Sequence, residues 1–558
     1  MKLAKFILPM ALFLVPCAAP LNAQTQQAVI AGSSGFWLEA GQAAYSLGGT
    51  ATTCAWTSTN NTGVNSVVDS RTLPGTPFAV DYGSLWVTWT SGSTGTCAAP
   101  SADSRVWAYI SLDAVLGIRC FFAQPQCTLS TSAAAGTVGA NALPGVTDTA
   151  LPANILATFN GQPITIAASD ILPADAKFST YSTLARCGKL GPGTQYIGLG
   201  YGPGPLGTLP IYSAFTWQYF NVNDFNVYGF DPITGTAVPG YTVTPVGAKP
   251  VVVAVNKSNA AGFGSPAVTN INRSELGLMF SALFGRTADA IKQPFAGTGA
   301  TYYGISALIP EPLSGEYNVF EHSISNSKEL YRSQDLANCD PYGPASNPLI
   351  ASRQVGTTTT SQYRVIGTAE TISQLQTVQD SISYAFWSAG NFTGVNNIKY
   401  LTVDGIDPLQ DTYTDGTLPQ GAALANVTMS HVADGTYPIW NVERLLSYGG
   451  TAAATLNGYV QSQLSFGPGA AHPEFIPDQQ LNVFHAHFAP VDIVFNQTNT
   501  ASDGPKVCGA GSDPEDGGDV GGIVLSLQAG ADYCVMKGNY GLPGGVGPTN
   551  TASFGVRK

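Results

Sequence analysis

Charge is scarce in this chain. Asp, Glu, Lys and Arg make up 10% of its 558 residues, with 23 Lys and Arg against 35 Asp and Glu. That balance leaves no basic stripe to neutralise phosphates along a duplex, which excludes a nucleic-acid binder. A small anion is a separate matter, because backbone dipoles can hold one without net positive charge. No C-x-x-C spacing occurs among the nine cysteines, which argues against thiol redox exchange or a zinc knuckle. There is no G-x-S-x-G elbow and no H-E-x-x-H zinc helix. The five histidines stand beside no nucleophile motif, so a catalytic triad has no local support. The chain is therefore read as a non-enzyme, with no catalytic residue, cofactor or metal assigned. After the first residues no apolar run is long enough to span a membrane.

Those first residues have a pattern of their own. Lys2 and Lys5 precede the apolar run from Phe6 to Val15, and Leu-Asn-Ala at 21–23 before Gln24 suits a cleavage site. A secretory signal peptide is expected, and with it a periplasmic or secreted protein. A lipoprotein signal at Cys17 ranks second, because Val-Pro before that cysteine matches poorly. Removing 1–23 takes away two lysines and no acids, so the net charge goes from −12 to −14. Eight cysteines then remain, an even count that suggests disulfides in an exported chain. Proximity favours Cys54–Cys97, Cys120–Cys127 and Cys508–Cys534, leaving Cys187–Cys339; the sequence does not fix that connectivity. With 63 glycines and 37 prolines the chain reads as loop-rich.

The richest stretch lies between Lys249 and Ile324. Lys-Pro-Val-Val-Val-Ala-Val-Asn (249–256) reads as a strand buried on both faces. A helix is predicted over 269–284, where Leu276, Met279, Phe280, Leu283 and Phe284 share one face. Asn272 with Glu275 three residues on gives a capping-box start. A second strand is predicted at 302–309. It runs into 310–321, where Ser314 is the candidate N-cap and Tyr317, Phe320 and Ile324 continue a helical stripe. Strand, helix, strand, helix in so short a span predicts a parallel α/β layer. A strand ending at a Ser-Gly helix start aims free N–H groups at one point.

Three other strands end in turns of interest. They are Ala28 to Ala31 before Gly32-Ser-Ser-Gly35, Val106 to Ile110 before Ser111, and Ile164 to Ala167 before Ala168-Ser-Asp170. A helical face of Trp37, Ala40, Ala44 and Leu47 follows the first. Tracts at roughly 50–105, 128–150 and 188–248 look like insertions on a compact scaffold. Short strands are predicted at 380–387 and 399–404, and a turn entering another at 433–440. From about Gly450 the composition becomes Gly-, Asn- and Asp-rich, with β-like runs. His485 and His487 alternate on one strand face, a spacing that suits copper or zinc given a third ligand. A surface pair without metal is the simpler account. Asp513, Glu515, Asp516 and Asp519 match no EF-hand pattern and read as a solvated acidic loop.

Taken in order, Gly32-Ser-Ser-Gly35, Ala168-Ser-Asp170, Val251 to Asn256, Arg273-Ser-Glu-Leu276, Glu311-Pro-Leu-Ser-Gly315, Ser381 to Ala385 and Asp434 to Ile439 resemble the periplasmic phosphate-binding proteins of the type II solute-binding superfamily. The likeness covers 28–50, 164–175 and scattered pieces of 249–446. It implies an α/β, two-lobed periplasmic-binding-protein-like fold with hinge strands, to which this chain adds β-rich loop insertions and a C-terminal extension. Its parts would be 1–23 signal peptide, 24–249 the first part of lobe I with insertions, 250–400 lobe II, 401–450 the return to lobe I, and 451–558 a β-rich extension. Carried over by position, the ligand contacts are Ser33, Ser34, Gly35 and Phe36, Ser111, Asp170, and Ser314 with Gly315.

One departure stands out. The family's arginine at the last turn falls on Pro310 and its threonine on Glu316. An arginine would give bidentate, charge-assisted bonds to phosphate. Its loss, with a carboxylate added, works against a dianion. Asp170 can accept a proton from a protonated oxyanion but also repels one, and Arg119 is the candidate replacement cation. The resemblance implies a solute-binding-like protein holding a small polar or anionic ligand between lobes, with an ABC transporter permease as partner. The alternative is a cell-surface structural or interaction protein on the same scaffold. A secreted hydrolase would require His431 or His485 beside a serine and an acid.

Overall fold

The computed structural model describes residues 25–48, 52–58, 64–70, 78–132, 151–171, 236–280, 305–310, 314–320, 323–324, 349–355, 358–365, 367–449, 451–462, 473–477, 480–481, 487–488 and 518–519. The signal segment, Cys187, Cys339, Cys508, Cys534, Glu311, His485 and the acids from Asp513 to Asp516 lie outside them.

In the first half the strands are β1 (Thr25–Gly32), β2 (Thr53–Ser58), β3 (Asn65–Asp69), β4 (Phe78–Tyr82), β5 (Leu85–Thr90), β6 (Arg105–Ser111), β7 (Thr128–Thr131) and β8 (Ile166–Ser169). The helices are α1 (Trp37–Ser46), α2 (Ala114–Phe122) and α3 (Ala153–Phe159). β1 lies between β6 and β8, parallel to both. Alternate side chains of β1 enter different cores: Val29 and Ala31 one, Ala28 and Ile30 the other. That period-2 division puts α2 on one face and α1 on the other.

The second half contains β9 (Thr242–Asn256), β10 (Asn270–Ile271), α4 (Arg273–Phe280), β11 (Ser306–Pro310), α5 (Gly315–Phe320), β12 (Leu349–Val355), β13 (Thr358–Val365), α6 (Gly367–Thr377), β14 (Ser381–Phe386), β15 (Ile398–Tyr400), β16 (Thr402–Val403), α7 (Ser430–Ala433) and β17 (Trp440–Ser447). β11 is parallel to β13 and β14. The two parallel blocks belong to one mixed sheet, ordered β12-β13-β11-β14-β9-β17-β8-β1-β6-β5-β2.

β9 and β17 make that junction. Residues 242–250 of β9 pair antiparallel with β17, and residues 251–255 pair antiparallel with β14. Val251, Val252, Val253 and Val255 are fully buried, as a two-sided apolar run requires. This corrects the expected parallel layer across 249–309. β14 stands between β9 and β11, and β9 is antiparallel to it because one long strand serves both halves.

The helix starts follow the sequence closely. Asn272 N donates to Glu275 Oε2 at 3.0 Å and Glu275 N to Asn272 Oδ1 at 2.9 Å, a reciprocal capping box at α4. Ser314 Oγ accepts from Tyr317 N at 3.2 Å and caps α5.

The tract from 50 to 105 is more than an insertion. β5 pairs with β6 and β2 pairs with β5, so both extend the main sheet. Leu85, Val87 and Trp89 enter one core and Trp86 the other, which is the pattern of an internal strand. Cys54–Cys97 ties β2 to the loop after β5, and Cys120–Cys127 closes the end of α2. The segment from 451 opens not on a strand but on helix α8 (Thr451–Ser462), which packs on α1 and β9. It then returns as β18 (Ile476–Pro477) against β9. No helix among the described residues is long and apolar enough to cross a membrane.

Candidate functional site

The strands of the first block end beside one another. By register Gly32 faces Ser111 on one side and Ala168 on the other. Open α/β sheets gather ligands at such carboxyl ends. Ser33 N donates to Ala168 O at 2.9 Å, so the chain leaves the sheet and turns into a short 3₁₀ segment, Ser34–Phe36. Ser33 Oγ accepts from Gly35 N and donates to Asp170 Oδ2, both at 3.1 Å. Tyr109 OH, from β6, donates to Ser33 O. Ser169 Oγ accepts from Ile171 N at 3.1 Å, a tight local turn that presents Asp170.

Across from it are the strand ends of the second block. Asp170's carboxylate lies directly on Gly315, leaving no room there for a Cβ. Ser34 Oγ and Thr368 Oγ1 share a hydrogen bond of 3.2 Å. Thr368 Oγ1 lies 3.5 Å from Glu316 Oε2, which also accepts from Phe386 N at 3.3 Å. Ser33, Ser34, Gly35, Asp170 and Gly315 thus come together from both halves. Phe36 is buried in the core beneath them. Ser314 spends its hydroxyl on the cap. Ser111 sits next to Gly32, but among the described residues no side-chain bond ties it to Ser33, Asp170 or Ser314.

The Ser-Gly helix start therefore faces a carboxylate of the chain itself. The arginine position, Pro310, is the last residue of β11 and pairs with Val365. Arg119 does not replace it: its guanidinium bonds Asp69 at 3.0 Å, with both side chains 1% exposed. His431 Nδ1 lies 3.0 Å from the backbone oxygen of Asp407, while Ser430 bonds Asp411.

Behind the turn lies a charged cluster that the sequence reading missed. Lys249 of β9 pairs with Glu39 of α1, donates to Gly35 O, and stands 3.8 Å from Glu474. Glu474, from the segment before β18, accepts from Ala389 N at 3.1 Å. Glu443 of β17 completes it, so close that a Cβ on Gly35 would come within 2.6 Å of its Oε1. Lys249, Glu39 and Glu474 are fully buried and Glu443 nearly so. The available signal was an ionisable residue inside an apolar run, as in Lys249 before Pro-Val-Val-Val and Glu443 in Trp-Asn-Val-Glu-Arg-Leu-Leu.

Burial sets the protonation of this group. It raises the Asp170 carboxyl to about 6, against the pull of the Ser33 hydrogen bond, Arg444 and Lys249. It raises Glu474 to about 8, helped by the Glu39 charge. Glu443 is pushed well above the usual carboxylate range by burial and then by Asp170. Burial also raises Glu39, though Lys249 opposes the shift. For Lys249, burial works against the charge, but Glu39, Glu474 and Glu443 together keep its ammonium charged.

No family model matches this sequence, and no curated protein matches it. Three solved structures show where it is similar. A putative phosphate ABC transporter substrate-binding protein from Clostridium perfringens shares 11% identity, with 40% of this chain and 67% of that one covered, at a TM-score of 0.25. The high-affinity periplasmic phosphate-binding protein PfluDING shares 14%, covering 69% and 86%, at 0.28. A phosphate-binding protein from Stenotrophomonas maltophilia shares 13%, covering 70% and 87%, at 0.28.

Proposed function

We propose that this is an exported solute-binding-like protein that holds a small polar ligand in a cleft between two lobes. Lobe I would comprise 24–249 and 401–450, lobe II 250–400, with β9 and β17 as hinge strands. The observation that carries this reading is the meeting of Ser33, Ser34 and Asp170 from one block with Thr368 and Gly315 from the other. Strand ends from two blocks joined by two crossing strands suit a site that closes by hinge motion. The sequence resemblance adds an ABC transporter permease as the partner that would receive the closed form. Phosphate dianion is a poor occupant, because the arginine position holds proline and the facing groups are carboxylates.

A reversible lock tests the cleft. Ser34→Cys with Thr368→Cys places two thiols where the hydroxyls now lie 3.2 Å apart. With a solute found by calorimetric screening, the oxidised protein is expected to lose exchange and the reduced protein to regain it. Equal binding in both states would overturn the inter-lobe site.

A further inference from the structure

Glu39 and Glu474 lie within ion-pair distance of Lys249, whereas Glu443 feels the charges of Lys249 and Arg444 without a hydrogen bond to either. It is 1% exposed, and among the described residues neither of its oxygens has a hydrogen-bond partner. The same holds for Oδ1 of Asp170, also 1% exposed. Glu443 Oε1 is aimed at Gly35, in the turn whose Ser33 holds the other Asp170 oxygen. Three buried acceptors without donors are costly, and native structures rarely leave them so. Arg444 donates to the backbone oxygens of Val442 and Asp170. A phosphate would meet the three oxygens acceptor to acceptor.

We propose that the cleft takes a small organic cation, with its primary ammonium group held by Glu443 and Asp170. An ammonium has three donors and no acceptor, which suits carboxyl oxygens left without a donor. Bonds between charged partners are the strong ones, so a bound ammonium would displace the proton that burial keeps on Glu443 and pair with the carboxylate left behind. A divalent metal fits less well: among the described residues no three His, Cys, Asp or Glu side chains are grouped to hold one. The proposal rests on the solute-binding reading above and adds the charge of the solute.

The test is calorimetric titration of the full exported chain with putrescine, methylammonium, inorganic phosphate and glucose. Potassium chloride at equal ionic strength controls for salt. The amines are expected to bind and phosphate to give no heat beyond dilution. Glu443→Gln should weaken amine binding by at least about 30-fold, as removal of one side of a buried charge pair does. Asp103→Asn, fully exposed and remote, should leave it unchanged. Wild type alone decides the charge preference, so a poorly folding variant does not spoil the result. Phosphate or glucose binding without amine binding overturns the cation and leaves the cleft standing. A folded wild type that binds none of the four overturns both. Undiminished amine affinity in folded Glu443→Gln overturns the assignment of Glu443.

Discussion

Arg119 with Asp69 and Lys249 with its neighbours are both buried charge groups touching the first half of the sheet, yet they are built differently. The first sets one guanidinium on one carboxylate at 3.0 Å, between α2 and β3. The second gives Lys249 three glutamates, with Asp170 beyond them, where β1, β9 and β17 approach. A matched pair fixes geometry and leaves no charge to answer. A mismatched group at strand ends keeps carboxylates short of donors, and perturbed carboxyls in such places mark functional sites. Glu443 and Asp69 are both buried acids, but only Asp69 has its cation in contact.

That contrast can be broken most forcefully at its cations. Arg119→Met, which strands Asp69, is expected to lose about 3–5 kcal/mol in denaturant unfolding. Lys249→Met strands Glu39 and Glu474 and should lose a similar amount at neutral pH, about 3–5 kcal/mol. A loss below about 1 kcal/mol in either would remove that cation from the account. Gly315→Ala puts a methyl group into the Asp170 carboxylate, and about 1–3 kcal/mol of stability should go. Adding Asp170→Asn should not restore it, because the clash is one of volume. Ser33→Ala removes both a cap and the Asp170 bond, for about 1–2 kcal/mol by thermal or denaturant melt. Smallest of all is Glu443→Gln near pH 5, expected within about 1 kcal/mol of wild type because no bond is lost and the carboxyl has not yet begun to lose its linkage contribution. Asp69→Asn is its counterpart and should cost several times more.

Much of the frame was legible in local pattern. The Asn272–Glu275 box, the Ser314 cap and the strands ending at Gly32 and Ser169 depend on neighbours in sequence, and each was found there. The two disulfides among the described residues each join one cysteine to the next cysteine along the chain. What escaped depends on distant partners. β5 hid in a tract judged by its glycines and prolines, although Leu85, Trp86, Val87 and Trp89 fit an internal strand. The antiparallel setting of β9 follows from β17, nearly two hundred positions later. Lys249 opened the most informative stretch of the sequence, but its partners come from α1 and from Glu474, a residue assigned to an outlying extension. Nothing local in Ala-Lys-Pro-Val announces two glutamates so far away.

Stability against pH, compared between wild type and Glu443→Gln, tests the mismatched cluster most directly. Burial raises the folded carboxyls of Asp170 to about 6 and Glu474 to about 8, and raises Glu443 well above its usual range. The folded protein therefore holds protons that the unfolded chain releases. Their stabilising contribution is full below the unfolded values near pH 4 and is lost as pH rises through the folded ones. Urea unfolding is measured from about pH 5 to pH 9. The expected result is that wild type loses stability relative to Glu443→Gln as pH rises. Parallel curves across that range would contradict a buried, unanswered Glu443.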